Sequence, residues 1–96
     1  MIKLVDIDTG VDVALLAPVI SEAALLFCVS YAGIMGPKRT GSIMAARRYC
    51  VFEARDRFGW SWQEISSVFG VGDKGTTIRM YQAEERRRAA VQIAAE

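Results

Sequence analysis

Between Ser61 and Met80 the chain reads SWQEISSVFGVGDKGTTIRM: two short helical patterns on either side of a glycine-bracketed turn. Ser61 is placed to cap the first helix, and Glu64 three residues on completes a capping box. Ile65, Val68 and Phe69 recur at i, i+3 and i+4, which gives that helix one apolar face. Gly70 and Gly72 supply the positive φ that a sharp turn needs. Asp73 can cap a second helix that opens near Lys74 and carries Ile78 and Tyr81 inward. Helix, glycine-bearing turn and helix are the skeleton of a helix-turn-helix, whose second helix lies in the DNA major groove with its first turn against the base edges. Here that turn offers Lys74, Gly75, Thr76 and Thr77: one cation, two hydroxyls and little bulk. An ordinary αα-hairpin inside a small helical domain fits the same pattern.

The 96 residues suffice for one domain, and with 52% apolar residues a packed core is expected. A net charge of +1 hides an asymmetry. Residues 1–37 hold Lys3 against Asp6, Asp8, Asp12 and Glu22, a net of −3, while residues 38–96 hold 11 Lys or Arg against 7 Asp or Glu, a net of +4. A basic carboxyl-terminal part is what a polyanion-binding surface requires. There is no histidine, and Cys28 and Cys50 stand apart within apolar patterns. Zinc sites and histidine-dependent acid–base catalysis are therefore disfavoured, no carboxylate pair is spaced for catalysis, and neither an enzyme nor a cofactor is expected. Two buried, reduced thiols in a cytoplasmic protein are the plain expectation.

From Val11 to Met35 the chain is strongly apolar, but Asp12, Pro18 and Glu22 interrupt it. The uncharged run after Glu22 is shorter than the roughly 20 residues a bilayer span needs, so a core helix is expected rather than a membrane segment. Acids rather than bases precede this run, which speaks against a secretory signal. Residues 1–10 alternate apolar and polar from Ile2 to Ile7 and read as a short strand or an extended arm. Asp6, Asp8 and Asp12 lack the rest of a calcium loop, so no metal is expected there.

The pattern predicts a helix over Pro18 to Tyr31, apolar on more than one side, ended by Gly33 and Gly36-Pro37. A loop GPKRTG follows, presenting Lys38 and Arg39. A long helix then spans Ser42 to Phe58. Ile43, Ala46, Cys50, Ala54 and Phe58 form its inward stripe, and Arg47, Arg48 and Arg55 share roughly a 100° arc on another face. Gly59 ends it, and Trp60 and Trp62 flank Ser61, one as a staple across the next helix. Beyond the turn, Arg79 points outward. Glu84 is spaced to pair with Arg87 or Arg88, Arg86 to Arg88 read as a solvated face, and Ala89 to Glu96 as a frayed end.

Laid out in this way, AARRYCVFEARDRFGWSWQEISSVFGVGDKGTTIRMYQAEE, Ala45 to Glu85, resembles the carboxyl-terminal DNA-binding domain of the bacterial replication initiator DnaA. The likeness rests on an Ala-Arg opening of a long helix, then Ser-x-x-Glu-Ile, then Phe-Gly, then an Asp followed by a basic residue and a Thr-Thr pair. It extends loosely back to Pro18. It implies an all-α domain that binds duplex DNA in a sequence-specific way. It further implies that Arg39 is a minor-groove arginine, and that Arg47 and Arg48 touch DNA from the long helix. Arg55 and Ser61 would meet phosphates, and Asp73, Lys74, Thr76 and Thr77 would form the base-reading turn. Lys74 stands where the family has a histidine, Arg48 where it has a glutamine, and Gly75 displaces or precedes the threonine pair. Bidentate Arg or Lys favours guanine and Gln favours adenine, so a base preference different from the initiator's is implied. No GxxxxGK[ST] loop occurs in these residues, so the expectation is a module without the initiator's ATPase.

The expectation is thus an all-α domain of about four helices over residues 18–96 after an arm at 1–17. It binds double-stranded DNA to regulate replication initiation or transcription. Phosphate contacts from Arg39, Arg47, Arg55 and Arg79 give affinity, and Arg48, Lys74, Thr76 and Thr77 give base choice. The alternative is a protein-interaction module that uses the apolar helix at 18–31 and the tryptophans, either for a protein partner or for a second copy.

Overall fold

The computed structural model describes residues 13–70 and 73–95. The arm or strand expected at 1–10, Asp6, Asp8, Asp12 and Gly72 lie outside the described residues. A 3-10 turn, Val13–Leu16, leads into α1, Ala17–Phe27; α2, Tyr31–Met35; α3, Gly41–Phe58; α4, Trp62–Val68; and α5, Lys74–Ala95. The all-α class is as expected, with five helices among the described residues rather than about four. No described helix is long and apolar enough to cross a membrane.

α3 is the spine, packed against each of α1, α2, α4 and α5. Its inward stripe is the one expected: Ala46, Cys50 and Ala54 are fully buried and Ile43 nearly so, with Phe58 packed at the edge. Onto it α1 lays Val19, Ile20 and Ala23, all fully buried. Leu16, expected within the arm, is buried with them, so the globular part begins earlier than residue 18. Burying each such side chain contributes about 1.5–3 kcal/mol.

The single helix expected over 18–31 is two helices. Cys28 takes a left-handed conformation, φ 56°, and its N–H bonds to the Ala24 carbonyl, which closes α1. Ser30 then caps α2 by accepting from the Gly33 N–H at 2.9 Å. The break places Cys28 at the surface, not in the core, while Cys50 is fully buried and its thiol is pushed up to about 12 by burial and nearby carboxylates. Gly33 lies inside α2 rather than ending it. A Cβ there would come within 3.3 Å of Ile43 and 3.0 Å of the capping Ser30 oxygen, so the glycine permits α2 to sit on α3.

Gly59, φ 68°, ends α3 as expected. The capping box is present at the start of α4: Glu64 N–H donates to Ser61 Oγ at 3.1 Å, and Ser61 N–H donates to Glu64 Oε1 at 2.8 Å. Trp60 and Ile65, at the two staple positions, both enter the core. Trp62 stays half-buried, edge-on to Tyr81. Gly70, φ 66°, turns the chain toward α5.

Of the pair expected to carry α5 inward, Tyr81 packs against the edge of the core, stacked on Phe52, while Ile78 stays outside it. Thr77, Met80 and Glu84 go deeper, at 0%, 8% and 1% exposure. Thr77 Oγ1 and Ser66 Oγ lie 2.6 Å apart and tie α5 to α4. Further along, Glu84 accepts two hydrogen bonds from Arg87, at 2.7 and 2.8 Å, and one from Arg88 at 2.8 Å. Arg88 also pairs with Glu53 of α3 at 3.0 Å, and its guanidinium lies over the Phe52 ring at 3.9 Å. Arg57 joins Glu53 from the same helix at 3.0 Å. Arg87 and Arg88, expected as a solvated face, are the polar fastening of α5 onto α3, because two core-facing carboxylates demand cations. The helix runs on to Ala95 instead of fraying after Arg88.

Candidate nucleic-acid interface

The first turn of α5 is built by Asp73. Its carboxylate accepts from the Thr76 N–H at 2.7 Å and from the Thr76 hydroxyl at 3.3 Å, so one side chain satisfies an end donor and fixes a neighbour's rotamer. These bonds, the backbone one first, hold the Asp73 carboxyl below its ordinary range. Thr76 Oγ1 also accepts from Arg79 at 3.1 Å, so Asp73, Thr76 and Arg79 form a chain along the exposed edge of the helix. Lys74 is exposed and bonds no described residue. Gly75 keeps this turn slim: a Cβ would reach Asp73 Oδ1 at 3.1 Å.

Thr77 does not belong to this surface. It is fully buried, its hydroxyl against Ser66 and directed to the Asp73 carbonyl at 3.5 Å. A base edge cannot reach it, which corrects its assignment to the reading turn. The cause is helical periodicity: one residue after Thr76 the side chain has rotated 100° toward the core.

Arg47 is likewise withdrawn. Only 8% exposed, it donates from Nε to the Ile34 carbonyl at 2.7 Å and from Nη2 to the carbonyls of Gly33, at 3.2 Å, and Gly36. Those oxygens lie at the carboxyl end of α2, where carbonyls run out of intrahelical partners, so the guanidinium caps that helix and pins it to α3. Burial, and then the charge of Arg39, lower its pKa. The expectation that Arg47 meets phosphate is corrected accordingly: its Nε and Nη2 donors are engaged inside the protein, at a residue only 8% exposed.

Arg55 is half-buried at the α3–α4 corner, with Nη1 donating to the Trp60 carbonyl at 3.0 Å and the guanidinium 4.3 Å over the Trp62 ring. Ser61 is exposed, its side chain engaged in the cap. Arg48 is half-exposed and pairs with no described residue. It precedes Arg55 by two turns and so shares that side of α3. Lys38 and Arg39 are exposed in the loop after α2.

What joins the loop to the α5 turn is a cavity of about 180 Å³ lined by Arg39, Met44, Arg47, Phe69, Gly70, Thr76 and Met80. Arg39 and Thr76, 37 positions apart, thus border one hollow. Of the ten residues singled out from the sequence, Arg39, Arg47 and Thr76 line this hollow, Asp73 and Arg79 are hydrogen-bonded to Thr76, and Lys74 follows Asp73 in the same helical turn. Arg48, Arg55 and Ser61 lie toward the α3–α4 corner, and Arg47 and Thr77 are interior. The cavity's apolar walls, Met44, Phe69 and Met80, gave no sign in the sequence, because each fits a core stripe equally well.

Neither a protein-family model, nor a curated protein, nor a solved structure matches the chain.

Proposed function

We propose that the protein binds double-stranded DNA in a sequence-specific manner, through a DnaA-like helix-turn-helix formed by α4 and α5, and thereby regulates replication initiation or transcription. The observation that carries this reading is the juxtaposition of the basic loop and the amino end of α5 around one hollow, with Arg39, Lys74 and Arg79 exposed and, among the described residues, in no ion pair. A helix amino terminus carries partial positive charge and spare N–H donors, which suits a phosphate-lined groove. In this reading the first turn of α5 enters the major groove. Lys74 meets a guanine edge, Thr76 a thymine methyl or phosphate, and Arg39 reaches the adjacent minor groove. Arg48 and Arg79 meet phosphates. Arg47 and Thr77 act behind the surface, holding the loop stem and the helix that present these groups.

With four cations, Arg39, Arg48, Lys74 and Arg79, set into the duplex and displacing about four counterions, the logarithm of the affinity falls against that of salt with a slope between about −3 and −4. Duplexes selected from a random pool, followed by mobility shift at two salt concentrations, test the reading. Recovery of a shared sequence whose binding weakens in Lys74→Ala and Arg39→Ala supports it. Absence of any duplex binding at low salt overturns it.

One observation favours a protein-interaction role instead. Leu25 and Leu26 on α1 are 82% and 60% exposed, and Leu15, Tyr31 and Met35 are exposed as well. Large apolar side chains left exposed on α1 suit a partner surface. Retention of partner capture by Lys74→Ala, together with loss in Leu25→Glu, distinguishes this role.

A further inference from the structure

The hollow between the loop and α5 has the makings of a small-molecule site, independent of whether the neighbouring surface binds DNA. Its volume, about 180 Å³, exceeds that of cavities that hold one benzene ring, on the order of 150 Å³. Three of its walls, Met44, Phe69 and Met80, are soft or aromatic and adapt to a flat apolar body. Two others are guanidiniums. Arg47 is almost wholly buried, yet no carboxylate of a described residue pairs with it. Its Nε and Nη2 are engaged by carbonyls, but Nη1 has only the Met44 thioether at 3.4 Å, a weak acceptor. Arg39, close enough to raise the cost of charging Arg47, adds a second cation at the rim. A buried cation that lacks a counter-charge beside an apolar hollow is an arrangement that an organic anion completes.

We infer that this cavity binds a small carboxylate carried on a ring-sized apolar body, the carboxylate bridging Arg47 Nη1 and Arg39 and the ring resting against Met44, Phe69 and Met80. A purely inorganic anion leaves the apolar walls unused. Because Gly70 and Thr76 also line the hollow, an occupant touches the turn before α5 and its first helical residues.

The experiment is a titration of the free protein, without DNA, with benzoate and separately with toluene, followed by methyl and aromatic NMR shifts. Saturable shifts with benzoate, centred on Met44, Phe69 and Met80 and weakened about tenfold by Arg39→Ala, are the expected result, since one charge-assisted hydrogen bond is lost. Met44→Phe, which fills the hollow while Arg47 stays in place, removes binding with the helical circular-dichroism signal unchanged. Equal binding of toluene and benzoate overturns the anion part of the assignment. No saturable shift at millimolar benzoate, or shifts that fall elsewhere, overturns the site. A DNA-binding defect in these variants leaves the benzoate result untouched, so the two readings fail separately.

Discussion

The two ends of α5 use arginine in opposite ways. Around Glu84 the cations are engaged: Arg87 and Arg88 close on a fully buried carboxylate, and Arg88 also reaches Glu53 and covers Phe52. Around Lys74 the cations face outward, and Asp73, the carboxylate beside them among the described residues, is occupied with capping. The same residue types on one helix thus fasten the fold at one end and present charge at the other. The number of basic residues in a segment does not distinguish the two uses; the presence of a core-facing acid within three or four residues does.

If the carboxyl-terminal cluster is a fastening, removing its centre has the largest effect. Glu84→Ala strands guanidiniums beside the core and is expected to cost about 3 kcal/mol, read from the urea midpoint. Glu85→Ala, at an exposed neighbour, changes stability by less than about 0.5 kcal/mol. Similar midpoints for the two variants would break the comparison.

If the amino-terminal cluster is a presenting surface, Lys74→Ala lowers duplex affinity about tenfold, roughly 1.4 kcal/mol, and leaves the urea midpoint in place. A midpoint that moves as far as the affinity would put Lys74 on the fastening side.

Thr76 and Thr77 sharpen the border. Thr77→Val leaves Ser66 Oγ with only the Trp62 carbonyl, at 2.7 Å, and is expected to cost about 1 kcal/mol of stability. Thr76→Val acts on DNA affinity more than on stability.

The smallest effect is in acid. Burial pushes the Glu84 carboxyl up, but the hydrogen bonds from Arg87 and Arg88 outweigh it, and the net pKa is lowered. A carboxyl depressed in the folded state stabilises fully above its unfolded value, about 4.3, and that contribution is lost as pH falls through the folded value. The stability of the wild type therefore drops below about pH 4 more steeply than that of Glu84→Gln, as thermal unfolding across that range measures.

The two halves of α5 also differ in how far the sequence reveals them. Ser61 with Glu64, and the stripe from Ile43 to Phe58, obey local rules, and the capping box and α3 were legible within a residue. The inward stripe of α5 runs Thr77, Met80, Glu84, Arg88, and three of those four are polar, so a search for apolar periodicity settles on Ile78 and Tyr81 instead. The break at Cys28 was hidden for a related reason: the residue in the left-handed conformation is not glycine, and Ser30 caps a helix of only five residues. Arg47 read as surface because arginine is rarely interior. Its acceptors, at 33, 34 and 36, become visible only once α2 folds back on α3.

That clamp sets what position 47 can tolerate. Three backbone oxygens converge on the Nε and Nη2 edge of a planar fork, a geometry a lysine ammonium cannot reproduce from its single nitrogen. Conserving the charge there would not conserve the hinge between the short helix and the spine, so of the paired arginines at 47 and 48 the first is bound by shape and the second only by sign.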